Sequence, residues 1–191
     1  MVTSKILSNI ARHISLTDEE TSFFISLITC KTLPKKSWLL QADQECRYLS
    51  YVHCGALRSF YIDKAGKEST IMFAVSDWWI TDMHCYLNNK PAMTHIETLE
   101  ESTVLQINRT DFDRLLEAVP KFERFFRILM QNAYTREQLR VMENLSSTAE
   151  ERYQSFLKKY PQIVKQVTQK QIASYLGITP EFLSALRKQK N

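Results

Sequence analysis

In the stretch TQKQIASYLGITPEFLSALRKQKN near the end of the 191-residue sequence, Glu181, Ser184, Arg187 and Lys188 fall at helical spacing on the side away from Leu183 and Leu186. A carboxylate that accepts, a hydroxyl that does both and cations that donate are the groups that read bases and grip phosphates in duplex DNA. Glu181 suits a cytosine amino group, Ser184 either base or phosphate, and Arg187, Lys188 and Lys190 suit phosphates. Just upstream, Gln169 and Lys170 are placed for the flanking backbone.

What must position these side chains stands beside them. Ile172, Ala173 and Leu176 share one face of a short predicted helix, and Gly177 permits the left-handed turn that ends it. Thr179, at the N-cap of a second helix, is counted with the contact set, and Pro180 takes the first helical position. Ala173 is small where the helices would cross, and Ile178 and Leu183 fill the junction. Helix, tight turn, helix is a geometry that pushes the second helix into a major groove. A solvated helical hairpin is the plainer alternative.

The other reactive residue types form no pattern. Cys30, Cys46, Cys54 and Cys85 lack the paired spacing of a zinc or iron-sulfur site and read as buried free thiols. His13, His53, His84 and His95 make no His-x-His or His-Glu-x-x-His pair. A metal-dependent cupin enzyme would need such a cluster, so the chain reads as no enzyme and no cofactor is expected. Gly55, Gly66 and Gly177 are the only glycines, which excludes a dinucleotide fingerprint and a P-loop.

Charge follows position. Residues 1–120 carry 12 Lys/Arg against 15 Asp/Glu, whereas residues 121–191 carry 13 against 6, so a polyanion would be met by the last third. No apolar run is long enough for a membrane span and the start lacks a signal-peptide pattern, so a cytoplasmic location without membrane contact is expected.

The elements upstream fall into two kinds. The Thr17-x-x-Glu20 box opens a short helix with Phe23, Phe24, Leu27 and Ile28 on one face. From residue 35 to 108 the period is two, with a hairpin predicted over 57–62 and 69–75 around Asp63-Lys-Ala-Gly66 and further strands over 48–53, 94–99 and 103–107. Several short antiparallel strands closing into a small barrel or jelly roll are expected. After Arg109 the period becomes helical, and Phe122 to Leu145 predict one helix of about 25 residues, more than twice the ordinary length. Its apolar seam thins at Tyr134 to Gln138, which suits packing partly on the barrel and partly against a copy of itself; a single buried intramolecular helix is the alternative. A further helix starts at Ser147-x-x-Glu150 and stops at Pro161.

Taken together, LSYVHCGALRSFYIDKAGKE, FAVSDWWITD, EERYQSFLKKYP and QKQIASYLGITPEFLS resemble the corresponding segments of the Crp/Fnr family of bacterial transcription factors, in its short Bacteroidetes-type branch. The resemblance implies an α+β chain: a cyclic-nucleotide-binding-like β domain over 1–115, a dimerisation helix over 116–145 and a helix-turn-helix DNA-binding domain over 146–191. It further implies a homodimer, double-stranded DNA bearing an inverted repeat, and RNA polymerase as partner. By the same resemblance Trp78, Trp79, Ile80, Thr81, Asp82, Met83 and Tyr86 fall where an effector would sit, either lining a pocket or filling it.

Three departures from the family pattern limit this. The phosphate cassette's Gly-Glu and Arg-Ser/Thr pairs fall near Thr81-Asp82 and Ala92-Met93, leaving an acid with no guanidinium, so cyclic AMP is not expected to bind. Ala185 stands where a guanine-reading arginine is common, which loosens base reading or substitutes a thymine-methyl contact. No β-hairpin wing is expected between the second helix and Asn191. A ligand-binding or protein-interaction module of the same fold, without DNA binding, is the remaining alternative.

Overall fold

The computed structural model describes residues 2–164 and 166–188. In chain order these form α1 (Ser4–Ala11), α2 (Asp18–Ser26), β1 (Thr29–Leu33), β2 (Trp38–Leu40), β3 (Tyr48–Cys54), β4 (Ala56–Ile62), β5 (Glu68–Val75) and β6 (Trp79–Ile80). Then follow α3 (Met83–Asn88), β7 (His95–Thr98), β8 (Ser102–Asn108), α4 (Arg109–Ala118), α5 (Lys121–Ser146), α6 (Ala149–Lys159), α7 (Gln169–Leu176) and α8 (Pro180–Lys188).

The strands make two antiparallel sheets, β1-β8-β3-β6 and β2-β7-β4-β5, facing each other as a jelly roll. Between them lies a small apolar core of Val52, Leu57, Ala74, Ile80, Ile96 and Val104. The β4–β5 hairpin forms as expected, its turn held by Asp63 Oδ1, which accepts the N–H groups of Ala65 and Lys67. The roll does not close into a barrel. β7 and β8, consecutive in the chain, lie in opposite sheets, because the corner between them carries the chain across instead of extending one ladder. Gly55 makes the matching corner between β3 and β4: it has φ +94°, and a Cβ there would collide with Ser102 Oγ. The strand region also begins earlier than 35, with β1 ahead of Pro34 pairing against β8 at a separation of some 70 residues that local pattern does not reveal.

Each sheet is covered on its outer face. Leu49 and Tyr51 of β3 pack under α1, α2, α4 and the first half of α5, where Phe24, Phe122, Phe125 and Phe126 form an aromatic core. α1 has no strong sequence signature. It is tied down by Asp77, whose carboxylate accepts from Tyr51 Oη, Asn9 Nδ2 and Arg12. The second sheet carries the C-terminal helices: Ala56, Phe73 and Leu99 pack with Tyr153, Phe156, Tyr160, Ile172, Ala173, Leu176 and Leu183. Two polar links reinforce that seam. Ser174 Oγ accepts the Thr70 N–H and donates to the Glu68 carbonyl, and Arg140 donates to the carbonyls of Thr70 and Ile71 on the edge of β5. An edge that closure would have paired is thus satisfied by helices.

α5 runs 26 residues, as its period predicts. Of the four thiols, Cys46 and Cys85 are buried, but Cys30 and Cys54 are exposed, contrary to the reading of all four as core. Cys30 points outward from the edge strand β1, and Cys54 ends β3 at the Gly55 corner.

Candidate nucleic-acid interface

The C-terminal unit is built from local signals. Thr168 opens α7 with a reciprocal capping box: its hydroxyl accepts the Gln171 N–H at 3.2 Å and Gln171 Oε1 accepts the Thr168 N–H at 2.9 Å. Gly177, at φ +68°, ends the helix, and the Ile178 N–H returns to the Ala173 carbonyl at 3.0 Å. Thr179 Oγ1 then accepts the Phe182 N–H at 3.2 Å and starts α8. Ala173 and Leu183 are fully buried at the crossing, and Ile178 packs partly buried beside them.

The opposite side is open. Gln169, Lys170, Thr179, Glu181, Arg187 and Lys188 are exposed and Ser184 is half-buried. The side chains of Lys170, Glu181, Arg187 and Lys188 make no hydrogen bond or ion pair among the described residues. A shallow open depression lies between Pro180, Glu181, Ser184, Ala185 and Lys188. Glu181, Ser184 and Lys188 of α8 thus share one surface, while Arg187 is exposed on the same helix and Gln169 and Lys170 are exposed in the first turn of α7. Lys190 and the question of a wing before Asn191 lie outside the described residues. Not all the positive charge of the last third faces this way. Arg136 lies over the Trp78 ring, and Arg140 over Tyr175 and against β5, so both turn toward the jelly roll.

The residues of the candidate effector region are dispersed. Trp78 packs between sheet and C-terminal helices, 6.0 Å from Tyr160. Trp79 donates to Asn9 Oδ1 and sits edge-on to Tyr51, Phe125 and Phe126. Met83 and Tyr86 belong to the same helix-covered core. Thr81 donates to the Tyr48 carbonyl and lines a cavity of about 180 Å³ between the sheets, with Leu40, Ser50, Ile96 and Gln106. Gln106 Nε2 donates to Ser50 Oγ inside it, a polar pair no sequence spacing announced. Pockets that hold drug-sized ligands span roughly 300–1,000 Å³, so this one suits something smaller.

Asp82 has a different task. Its Oδ2 accepts from the Met93 N–H at 2.9 Å, the Thr94 N–H at 3.0 Å and Thr94 Oγ1 at 3.0 Å, and Oδ1 caps α3 at the Cys85 N–H. Burial pushes this carboxyl's pKa up, but the hydrogen bonds from Met93, Cys85 and Thr94 outweigh it and hold it below the ordinary aspartate value. The Cys85, Met93 and Thr94 amides are thus held by the chain's own carboxylate. Tyr86, whose carbonyl accepts from Arg109, lies buried beneath. His53, His84 and His95 sit on β3, α3 and β7, and no three His, Cys, Asp or Glu side chains gather as a metal requires among the described residues.

The second half of α5 offers another open face. Tyr134, Leu139, Val141, Met142 and Leu145 are exposed, Leu145 to 84%, and Tyr134, Gln138, Val141 and Leu145 follow the four-three-four spacing of a coiled-coil seam.

With this geometry in hand, comparison places the fold. Residues 30–119 match the family model of the cyclic nucleotide-binding domain. No curated protein matches the chain as a whole or in part. Among solved structures, a Crp/Fnr-family transcriptional regulator from Eubacterium rectale is 16% identical, with a TM-score of 0.74 over 91% of this chain and 83% of that one. FixK2 of Bradyrhizobium japonicum is 20% identical, with a TM-score of 0.71 over 85% and 83%. CLP of Xanthomonas campestris, described as a c-di-GMP-responsive global regulator, is 12% identical, with a TM-score of 0.73 over 91% of each. The chain has the fold of Crp/Fnr regulators: an antiparallel jelly roll of the cyclic-nucleotide-binding type, a long helix and a C-terminal helical unit.

Proposed function

We propose that this protein is a homodimeric, sequence-specific DNA-binding transcription regulator of the Crp/Fnr type that does not respond to cyclic AMP. The observation that carries the reading is the α7–Gly177–α8 unit, buried through Ala173 and Leu183 and presenting Glu181, Ser184, Arg187 and Lys188 without side-chain partners among the described residues. Polar and charged groups left unpaired on one helix face are available to bases and phosphates. The exposed seam of α5 supports a dimer through a parallel copy of itself, which would set two α8 helices about one DNA turn, 34 Å, apart and call for an inverted repeat. Asp82 supports the lack of response to cyclic AMP, because it competes for the same amides and would repel a phosphate. Action through RNA polymerase in the cytoplasm and the lack of enzymatic activity follow from the same reading, and no described helix is long and apolar enough to cross a membrane.

Anisotropy of a labelled mixed-sequence duplex against salt tests it directly, alongside sedimentation of the protein. A dimer whose log affinity falls linearly with log salt is expected. A monomer that leaves every duplex unbound at about 50 mM salt overturns the reading.

A further inference from the structure

Within the first turn of α8, Phe182 is 50% exposed, on a helix whose neighbouring outward residues are charged or small. Its N–H is taken by Thr179 Oγ1, which fixes it at the entry of the helix, and its ring meets no other ring or cation among the described residues. At 3.6 residues per turn, Phe182 and Ala185 lie about 60° apart on one flank of α8, Glu181 and Lys188 form the crest, and Ser184 and Arg187 form the other flank. The helix is thus polar on one side of its crest and apolar on the other. Ala185 is exposed on that apolar flank and Leu186 half-buried behind it.

An exposed phenylalanine on a helix that ends in Arg187 and Lys188 suits an apolar partner that comes with negative charge around it. Duplex DNA supplies that combination in the major groove, where the thymine C5-methyl is the apolar group that base edges present, set between phosphates that Arg187 and Lys188 would hold. The first turn of a recognition helix is also the part that reaches base edges. Resting on the reading of α8 as the recognition helix, we infer that Phe182, with Ala185 beside it, reads a thymine methyl group, one in each half-site. Glu181 on the crest would read the adjacent step. Together they give the chain base discrimination without an arginine at 185.

The test removes the methyl group and nothing else. The full-length protein selects bound duplexes from a pool with a randomised core, and the preferred duplex is then remade with uracil in place of each thymine in turn. For the unaltered protein, one uracil step per half-site should weaken binding about fourfold, the factor expected for losing one buried CH2-sized group. Phe182→Ala should bind the thymine duplex correspondingly less well, lose the penalty for uracil at that step, and select sites degenerate there while keeping its preference at the Glu181 step. An equal uracil penalty in both proteins, or no penalty at any step, overturns the role of Phe182 while leaving DNA binding intact. Failure of the unaltered protein to enrich any sequence overturns the recognition-helix reading itself, and the role of Phe182 falls with it.

Discussion

The cassette around α3 and the outer face of α8 are both small clusters of polar groups carried by a short helix, and they end in opposite states. In the cassette, Asp82 takes up the N–H groups of Cys85, Met93 and Thr94, so donors and acceptor are matched internally. On α8, Glu181, Arg187 and Lys188 project from a helix whose own N-terminus Thr179 has already capped, and nothing in the described chain answers them. Buried polar groups must find partners within the chain, whereas exposed ones can wait for a partner from outside. The difference separates polar groups matched inside the chain from polar groups left open on its surface, although both lie at positions that the family resemblance marks as functional.

The largest expected effect comes from removing what holds the open site in place. Leu183→Ala leaves a cavity at the α7–α8 crossing and should cost about 2–5 kcal/mol, read by chemical denaturation, with loss of duplex binding. Asp82→Ala should cost about 1–3 kcal/mol by leaving the buried Cys85 N–H and the partly buried Met93 and Thr94 N–H groups without their acceptor, yet leave the salt slope of DNA binding unchanged. Its pH dependence has a definite sign. Because the Asp82 carboxyl is held below its ordinary value, its contribution is complete above about pH 4 and disappears as pH falls through the lowered value. Stability curves of the two proteins should therefore converge in acid, and a gap that widens there would refute the assigned hydrogen bonds.

Smaller effects belong to the open face. Glu181→Ala should relax preference at one base pair per half-site by about 1–3 kcal/mol, seen in selected-site sequences. Lys188→Ala should weaken all duplexes alike and reduce the salt slope by about one unit for each protomer. Uniform losses from both would erase the distinction between reading and gripping. The smallest effect is expected for cyclic AMP, which should give no heat in a calorimetric titration; micromolar binding would show that the cassette is not sealed by Asp82.

Much of the C-terminal unit was legible because its signals are local. Gly177, Thr179-Pro180 and the Ile172–Leu183 spacing specify cap, turn and buried face within a dozen residues. The 26-residue α5 was equally plain from its period. The sheets were harder. The β4–β5 hairpin carries its own turn, but the assignment of β7 and β8 to opposite sheets and the pairing of β1 with β8 depend on partners far along the chain. The same holds for Arg140 and Ser174, which look like ordinary helix-surface residues until β5 lies beneath them. Trp78 and Trp79 stand side by side in sequence, yet one enters the C-terminal core and the other the helix-covered core, because successive side chains near a strand point to opposite faces.

By itself, then, the order of residues determined the β4–β5 hairpin, the long α5 and the α7–α8 pair with its Gly177 turn and Thr179 cap, since each rests on contacts within a turn or two. Tertiary structure alone decided that the roll stays open at its edges, that Asp82 takes up the amides of Cys85, Met93 and Thr94, and that Phe182 remains uncovered. Those outcomes depend on which distant groups arrive to satisfy a donor, an acceptor or an apolar surface, and no local spacing encodes that arrival.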